Sequence, residues 1–142
     1  MGHDARLGFT DFIPHNKALG MVLLELEKGE AKFRLPYDPK LVGNPDTGVL
    51  HGGAITALLD ACSGASVFAA LTEWVPIATL DLRIDYLRAA DAGRDVIAHA
   101  TCYKRTRNVA FTRAIAYTDD PADPIASSVG TFMLSTKAGG RK

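Results

Sequence analysis

A single long helical segment in the middle of the chain constrains the fold more than any other feature. From Gly53 to about Glu73 the apolar residues recur every three or four positions, and no proline occurs before Pro76. This spacing predicts one helix of about twenty residues, roughly 30 Å long. Its apolar face comprises Ile55, Leu58, Leu59, Cys62, Ser66 and Ala69. The other face carries mostly small residues, which permit the close approach of another backbone or of a ligand.

The segments on both sides of this helix have the period of two that is typical of β-strands. Before the helix, two alternating runs flank Lys28-Gly29-Glu30 and predict a hairpin. After it, alternating runs predict four strands with tight connections, over residues 80–86, 96–103, 109–117 and 125–134. Residues 36–53 hold three prolines and four glycines, and they predict a long loop.

The resulting order, β-β-α-β-β-β-β, predicts the α+β class, with one antiparallel sheet against one helix. A hot-dog fold, in which the sheet wraps a long central helix, has this order. Cone-shaped α+β barrels fit less well, because they usually place more than one helix before the sheet. A length of 142 residues predicts one domain spanning 1–142.

Composition narrows the classes of function. Sixteen Lys and Arg balance sixteen Asp and Glu, so bulk charge does not favour nucleic-acid binding. No apolar run is long enough to predict a membrane span, and the first residues lack the apolar core of a secretion signal. We therefore expect a cytoplasmic protein without nucleic-acid or membrane partners. Two cysteines, Cys62 and Cys102, predict buried free thiols, with a nucleophilic Cys62 as the alternative.

The densest set of unusual residues lies in the glycine-rich run 43–53 at the start of the helix. The backbone N–H groups of Gly52 and Gly53 lack intrahelical acceptors there. Without Cβ atoms these two residues let a ligand oxygen come close, and the helix dipole adds positive potential. The helix start is therefore suited to hold a carbonyl or to stabilise a developing oxyanion.

Asp60 is the second candidate for chemistry. It lies in mid-helix among small residues, where its carboxylate is suited to act as a general base or a nucleophile. Asp60 and Gly53 share a helix face but lie about 10.5 Å apart along the axis. Both groups must lie close to the reacting centre, so one helix does not easily supply them. A two-fold dimer with antiparallel helices brings Asp60 of one subunit to Gly52 of the other.

The run His51-Gly52-Gly53, with Asp60 nine positions after the histidine, resembles the PaaI/acyl-CoA thioesterase 13-like family of hot-dog (4HBT-type) thioesterases. The resemblance includes the strand over residues 79–88 and covers roughly residues 15–135. It implies hydrolysis of the thioester of a fatty or aryl acyl-CoA to the free acid and CoA.

The resemblance also implies roles for individual residues. Gly52 N–H polarises the thioester carbonyl, and Asp60 of the partner subunit attacks it or activates water. Asn44 or Asp46 supplies a polar group from the loop. Thr79 contributes a hydroxyl, although its parity matches that of the solvent-facing positions Asp81 and Arg83. His51 is expected mainly to order the loop.

Cations near the pocket mouth are expected to bind the CoA phosphates. The candidates are Arg83, Arg88, Lys104, Arg105 and Arg107, with Arg107 ranked first. Gly53 is a further candidate for contact with substrate. No metal is expected, because the four histidines lack metal-binding spacing. No organic cofactor is expected either.

The sequence leaves two other functions open. One is a non-catalytic hot-dog protein that binds acyl-CoA or a small ligand, and the other is a hot-dog dehydratase or hydratase. The acyl group of the substrate stays undefined between aryl, short, medium and long chains. We expect a homo-oligomer with the dimer as the active unit, and the resemblance favours a tetramer.

Overall fold

The computed structural model describes Thr10 and residues 12–135, so the predicted tail at 139–142 lies outside the described residues. Six antiparallel strands form one sheet that wraps a 19-residue helix. In chain order the elements are α1 (Pro14–Ala18), β1 (Val22–Glu27), β2 (Glu30–Leu35), a short 3-10 helix (Pro39–Leu41), β3 (Val42–Asn44), β4 (Val49–Leu50), α2 (Gly52–Ala70), β5 (Ile77–Tyr86), β6 (Val96–Arg105), β7 (Val109–Tyr117) and β8 (Ala126–Leu134).

The strand order in the sheet is β1-β2-β6-β7-β8-β5, with every neighbouring pair antiparallel. The predicted hairpin before the helix and the four strands after it are therefore confirmed. Gly29 turns the hairpin with a φ of +68°, a conformation that glycine adopts without steric strain. The architecture is that of the predicted hot-dog fold, and β1 and β5 are its two edge strands.

Several element boundaries differ from the prediction. β5 begins at Ile77 rather than at Leu80, and β6 ends at Arg105 rather than at Tyr103. Residues 36–53 are not all loop, because the 3-10 helix and the small β3–β4 hairpin lie within them. Gly43 lets the hairpin form, since a Cβ there would come within 2.8 Å of His51 Cα. Helix α2 ends at Ala70 rather than near Glu73, because Leu71 has an extended backbone with ψ of 146°.

The core lies between α2 and the concave face of the sheet. Leu58, Leu59 and Cys62 of the helix are fully buried, and Phe33 and Leu35 of β2 are fully buried in the same cluster. Burial of each large apolar side chain contributes about 1.5–3 kcal/mol. The facing strands carry alanines, which let the helix lie close to the sheet; these are Ala98, Ala100, Ala114 and Ala116.

By length and composition alone α2 would qualify as a membrane-spanning helix. Half of this apolar helix is buried inside the domain, however, because the helix packs against the sheet that wraps it. The helix Gly52–Ala70 is therefore the core helix of a soluble domain.

Candidate active site

The start of α2 is organised by His51, which is the N-cap residue. Its Nδ1 accepts a hydrogen bond of 2.7 Å from Gly53 N–H, so this ring nitrogen carries no proton in that contact. A Cβ at position 53 would lie 2.8 Å from Nδ1, so a larger residue there would displace the His51 ring from this contact. The Gly53 N–H is thus occupied by the cap and does not face a ligand.

Gly52 is the first residue of α2, and its N–H has no acceptor among the described residues. Tyr86 of β5 holds this end of the helix from the side. Its hydroxyl donates a hydrogen bond of 2.7 Å to Gly52 O and also pairs with Thr56 Oγ1. Because the carbonyl of Gly52 is held and its N–H is open, Gly52 presents the donor to which a substrate carbonyl can bind.

Asp60 lies eight residues further along α2, about 12 Å along the helix axis from Gly52. It is partly buried, and Thr79 Oγ1 donates a hydrogen bond of 2.9 Å to its Oδ1. The structure therefore brings the two predicted residues Asp60 and Thr79 together within one chain. It keeps the Gly52 end of the same chain away from them.

A β-bulge explains how Thr79 reaches the helix. Thr79 pairs with Phe132, the next paired residue is Asp81 with Thr131, and Leu80 is the extra residue between them. The inserted residue reverses the alternation, so Thr79 and Leu82 both face α2 although their parities differ. Thr79 therefore faces α2 although Asp81 and Arg83, which have the same parity, face away from it.

A cavity of about 350 Å³ opens beside the Asp60 carboxylate, between α2, α1 and the strands β5 and β8. Its polar lining residues are His15, Asn16, Asp60 and Thr79. The rest of its lining is apolar or small and comprises Ile13, Ala57, Ala61, Gly64, Ala65, Phe68, Ile77 and Phe132. A carboxylate in the wall of a largely apolar cavity is an arrangement suited to an acyl substrate.

Asn44 is the last residue of β3, and Asp46 lies in the turn between β3 and β4. The side-chain Oδ1 of Asn44 accepts a hydrogen bond of 3.0 Å from Asp46 N–H, which stabilises the turn. Both residues are exposed, and the described contacts do not join either side chain to Asp60 or Gly52 of the same chain.

Two of the predicted CoA-binding cations are engaged in ion pairs. Arg83 pairs with Asp85 at 3.3 Å on the sheet face that points away from α2. Arg88 lies within 3.4 Å of both Asp91 and Asp123 and joins the loops that carry them. In the single chain the charges of both arginines are therefore already balanced by neighbouring carboxylates.

Three further cations have a different setting: Lys104 and Arg105 end β6 rather than lying in the turn after it, and Arg107 lies in the β6–β7 turn. Lys104, Arg105 and Arg107 are exposed and form no ion pair with any other described residue. Arg105 and Arg107 line an open surface cavity of about 600 Å³ beyond the C-terminal end of α2. This cavity shares no lining residue with the cavity beside Asp60.

The structure excludes Cys62 as a nucleophile. Its side chain is fully buried, its Sγ lies 3.3 Å from Ala31 O, and burial raises the pKa of the thiol to about 12. The thiol therefore stays protonated near neutral pH. Within the described residues, no group of three or more His, Cys, Asp and Glu side chains is placed to hold a metal ion.

Sequence reasoning missed Tyr86, Thr56 and the residues of α1 that close the cavity. Tyr86 follows Leu82 and Ile84 in the alternation of β5, so its orientation toward α2 could have been read from the parity. Its hydrogen bond to Gly52 O could not, because the two residues are 34 positions apart. No sequence signal connects α1 with Asp60.

A hot-dog domain with an open N–H at the start of its central helix and a carboxylate in mid-helix defines a class of hydrolase that acts on activated carbonyls. The family model of the Thioesterase superfamily (4HBT) matches residues 47–125. The chain belongs to this superfamily, and it is a thioester hydrolase, as the sequence predicted.

Individual relatives agree with this assignment. Medium/long-chain acyl-CoA thioesterase YigI of Salmonella typhimurium is 32% identical over 139 residues, which cover 89% of this chain and 88% of YigI. A crystal structure from Pseudomonas aeruginosa is 45% identical, with a TM-score of 0.80, and covers 88% of this chain and 93% of that chain. A mutant of phenylacetic acid degradation protein PaaI from Thermus thermophilus is 28% identical, with a TM-score of 0.74, and covers 84% and 97%.

Proposed function

We propose that the protein hydrolyses acyl-CoA thioesters at a site shared by two chains, with Gly52 N–H of one chain and Asp60 of its partner. Acyl-CoA thioesterase activity follows from the superfamily and from the relatives that carry this name. The observation that carries the shared site is the separation of the two groups on one uninterrupted helix. A span of about 12 Å is too long for both to contact one carbonyl carbon.

A dimer with antiparallel α2 helices resolves this separation. Edge strand β5 supports such a dimer, since its ten residues leave one row of backbone N–H and C=O groups without a strand partner. Leu80 of this strand is 52% exposed and Leu87 just after it is 56% exposed. An apolar, unpaired edge next to the partly exposed Asp60 is the surface that we assign to the second chain.

The chemistry follows from the two groups. Gly52 N–H donates to the thioester oxygen at the positive end of α2, which stabilises the negative charge that develops when the carbonyl is attacked. Asp60 either attacks the carbonyl carbon or removes a proton from the attacking water. In both routes the carbon–sulfur bond breaks, CoA leaves as the thiol, and water supplies the hydroxyl of the free acid.

The neighbouring residues position these groups. Thr79 holds one oxygen of Asp60, and His51 holds the backbone from which Gly52 presents its N–H. Asn44 or Asp46 is proposed to reach the reacting water or the acyl group from the loop of the chain that supplies Gly52. Because His51 Nδ1 is committed to the cap, a dehydratase built on a free His51 base is disfavoured.

Lys104, Arg105 and Arg107 are proposed to bind the CoA phosphates, since these three exposed cations lie close together at one end of the sheet and none of them is paired with a carboxylate of another described residue. Arg83 and Arg88 are weaker candidates because carboxylates already neutralise them. Gly53 is left as a backbone position that lets substrate approach the helix start.

We further propose a cytoplasmic homotetramer built from two such dimers. The cytoplasmic assignment is supported by the two free cysteines, Cys62 and Cys102, which suit a reducing compartment.

The test is release of free thiol from a panel of aryl and fatty acyl-CoAs, with Asp60→Asn compared against Asp81→Asn. Asp81 is an exposed carboxylate on the same strand as Thr79, but it faces away from α2. We expect wild type and Asp81→Asn to release CoA and Asp60→Asn to lose roughly 100-fold or more in kcat. Full activity of Asp60→Asn would contradict the proposed mechanism, and inactivity of wild type on the whole panel would favour a binding protein.

A further inference from the structure

We propose that the substrate is a medium-chain acyl-CoA, because the cavity beside Asp60 accepts the acyl chain and Phe68 closes its far end. This inference rests on the proposed function, and it adds the acyl class and the residue that limits it. The cavity begins at the carboxylate of Asp60 and continues along α2 as a stripe of small residues, Ala61, Gly64 and Ala65. With its carbonyl at Asp60, an acyl chain lies along this stripe toward Phe68, which also lines the cavity.

The length of the cavity follows from helix geometry. Phe68 lies eight residues after Asp60, which corresponds to about 12 Å along the axis. An extended chain advances roughly 1.2 Å per bond, so about ten bonds fit between the two side chains. The predicted optimum is therefore an acyl group of about eight to ten carbons.

The ring of Phe68 stacks on Trp74, which restricts its movement away from the cavity. The two rings are parallel to within 6°, with centroids 6.0 Å apart. Phe68 lines the cavity, whereas Trp74 does not line it and is 71% exposed. Trp74 is also the only tryptophan of the chain, which makes its emission a reporter of this end of the cavity.

Gly64 lines the same cavity midway between Asp60 and Phe68 along α2. A Cβ at this position would lie 3.6 Å from Ile77 Cδ1 and 3.7 Å from Phe132 Cε2, which is ordinary van der Waals contact. Gly64→Ala therefore fits without displacing its neighbours, and its methyl group occupies the space through which the acyl chain passes. The position lies about 6 Å from Asp60, which corresponds to roughly five bonds.

The experiment compares kcat/KM of four proteins on saturated acyl-CoAs from butyryl to palmitoyl. These are wild type, Phe68→Ala, Gly64→Ala and Phe111→Ala, the last of which removes a half-buried phenylalanine from the opposite face of the sheet. We expect an optimum near octanoyl or decanoyl for wild type and Phe111→Ala. Phe68→Ala is expected to move the optimum at least two carbons longer. Gly64→Ala is expected to lose about tenfold on decanoyl-CoA while keeping its activity on butyryl-CoA.

A binding measurement makes the outcome independent of turnover. In the Asp60→Asn background, saturation with decanoyl-CoA is expected to change the emission of Trp74, whereas saturation with butyryl-CoA is not. One outcome is that wild type turns over acyl-CoAs while all four proteins show the same dependence of kcat/KM on chain length. In that case the cavity does not hold the acyl chain, so this inference is wrong although the proposed function stands. If Phe68→Ala and Gly64→Ala instead raise KM equally for every chain length, the cavity holds the pantetheine arm of CoA, which carries the thiol. That result would also overturn the inference. If wild type turns over none of the panel, the proposed function fails, and the emission of Trp74 then decides the inference by itself.

Discussion

Thr79 Oγ1 donates a hydrogen bond of 2.9 Å to Oδ1 of Asp60, and this contact joins edge strand β5 to the middle of α2. A threonine hydroxyl that holds one carboxylate oxygen fixes the rotation of the group and leaves the second oxygen for the reaction. The contact exists because Leu80 is inserted in β5 and turns Thr79 toward the helix. In the proposed mechanism Thr79 is thus a positioning residue for Asp60.

Loss of the Thr79 hydroxyl is expected to lower kcat more than it changes KM. A hydrogen bond to a charged group contributes about 1.5–3 kcal/mol, so Thr79→Val should reduce kcat by roughly 10- to 100-fold. Thr79→Ser keeps the donor and should recover most of the rate. Steady-state kinetics on one acyl-CoA measures both variants. Equal kcat for wild type and Thr79→Val would remove this residue from the mechanism.

Mixed dimers test whether the site is shared between chains. Gly52→Pro removes only the N–H of the first helical residue, where proline is tolerated, and His51 already has the extended ψ of 135° that precedes proline. Asp60→Ala and Gly52→Pro should each be inactive alone. Co-refolding the two is expected to give up to about half of the dimers one intact site, and hence about a quarter of wild-type activity, by random pairing.

The control for this experiment is Gly52→Ala, which keeps the N–H and places its Cβ 3.5 Å from the Tyr86 hydroxyl, an ordinary contact. This variant should stay active. If affinity-tagged hybrid dimers are isolated and prove inactive, Gly52 and Asp60 must act within one chain.

His51 should matter mainly as a cap of α2. His51→Ala removes the acceptor for Gly53 N–H, and loss of an N-cap lowers the free energy of unfolding by about 1 kcal/mol. His51→Asn restores a side-chain acceptor of the kind preferred at this position and should recover most of that stability. Urea unfolding measures the three proteins. Equal stability of wild type and His51→Ala would mean that the cap contributes nothing.

Arg107 tests where CoA phosphates bind. Arg107→Ala should raise KM for acyl-CoA several-fold and leave KM unchanged for a truncated thioester without the nucleotide. Salt screens such an exposed contact, so the difference should shrink at high ionic strength. Arg94→Ala is the matched control, because Arg94 is exposed but already paired with Asp119. A loss of equal size on both substrates would assign Arg107 to the fold or to the acyl site.

Cys62 predicts a pH dependence of stability. Burial raises its pKa from 9.0 to about 12, so the unfolded chain loses this proton near pH 9 while the folded chain keeps it. The stabilisation is therefore complete below pH 9 and is lost as the pH rises toward 12. Urea unfolding across this range should show a steeper loss for wild type than for Cys62→Ala. The difference should reach a few kcal/mol, at about 1.4 kcal/mol per pKa unit, and parallel curves would contradict the assignment.

The sequence by itself determined the elements whose signal is periodic. The spacing of apolar residues predicted α2, the alternation predicted the six long strands, and their order predicted the hot-dog fold. The run His51-Gly52-Gly53 with Asp60 nine positions after His51 identified the family, which the comparisons confirm. These features are local, since each depends on residues within a few turns of helix or a few pairs of a strand.

Only the tertiary structure decided which groups meet. The insertion of Leu80 breaks the period of β5, so no alternation in the sequence shows that Thr79 faces Asp60. The choice of Gly52 over Gly53 as the open donor depends on the rotamer of His51. The contribution of α1 and of Phe68 to the lining of one cavity depends on packing between segments far apart in the chain. Bulges, rotamers and long-range packing are set by contacts made after the elements assemble, and a periodic pattern does not encode them.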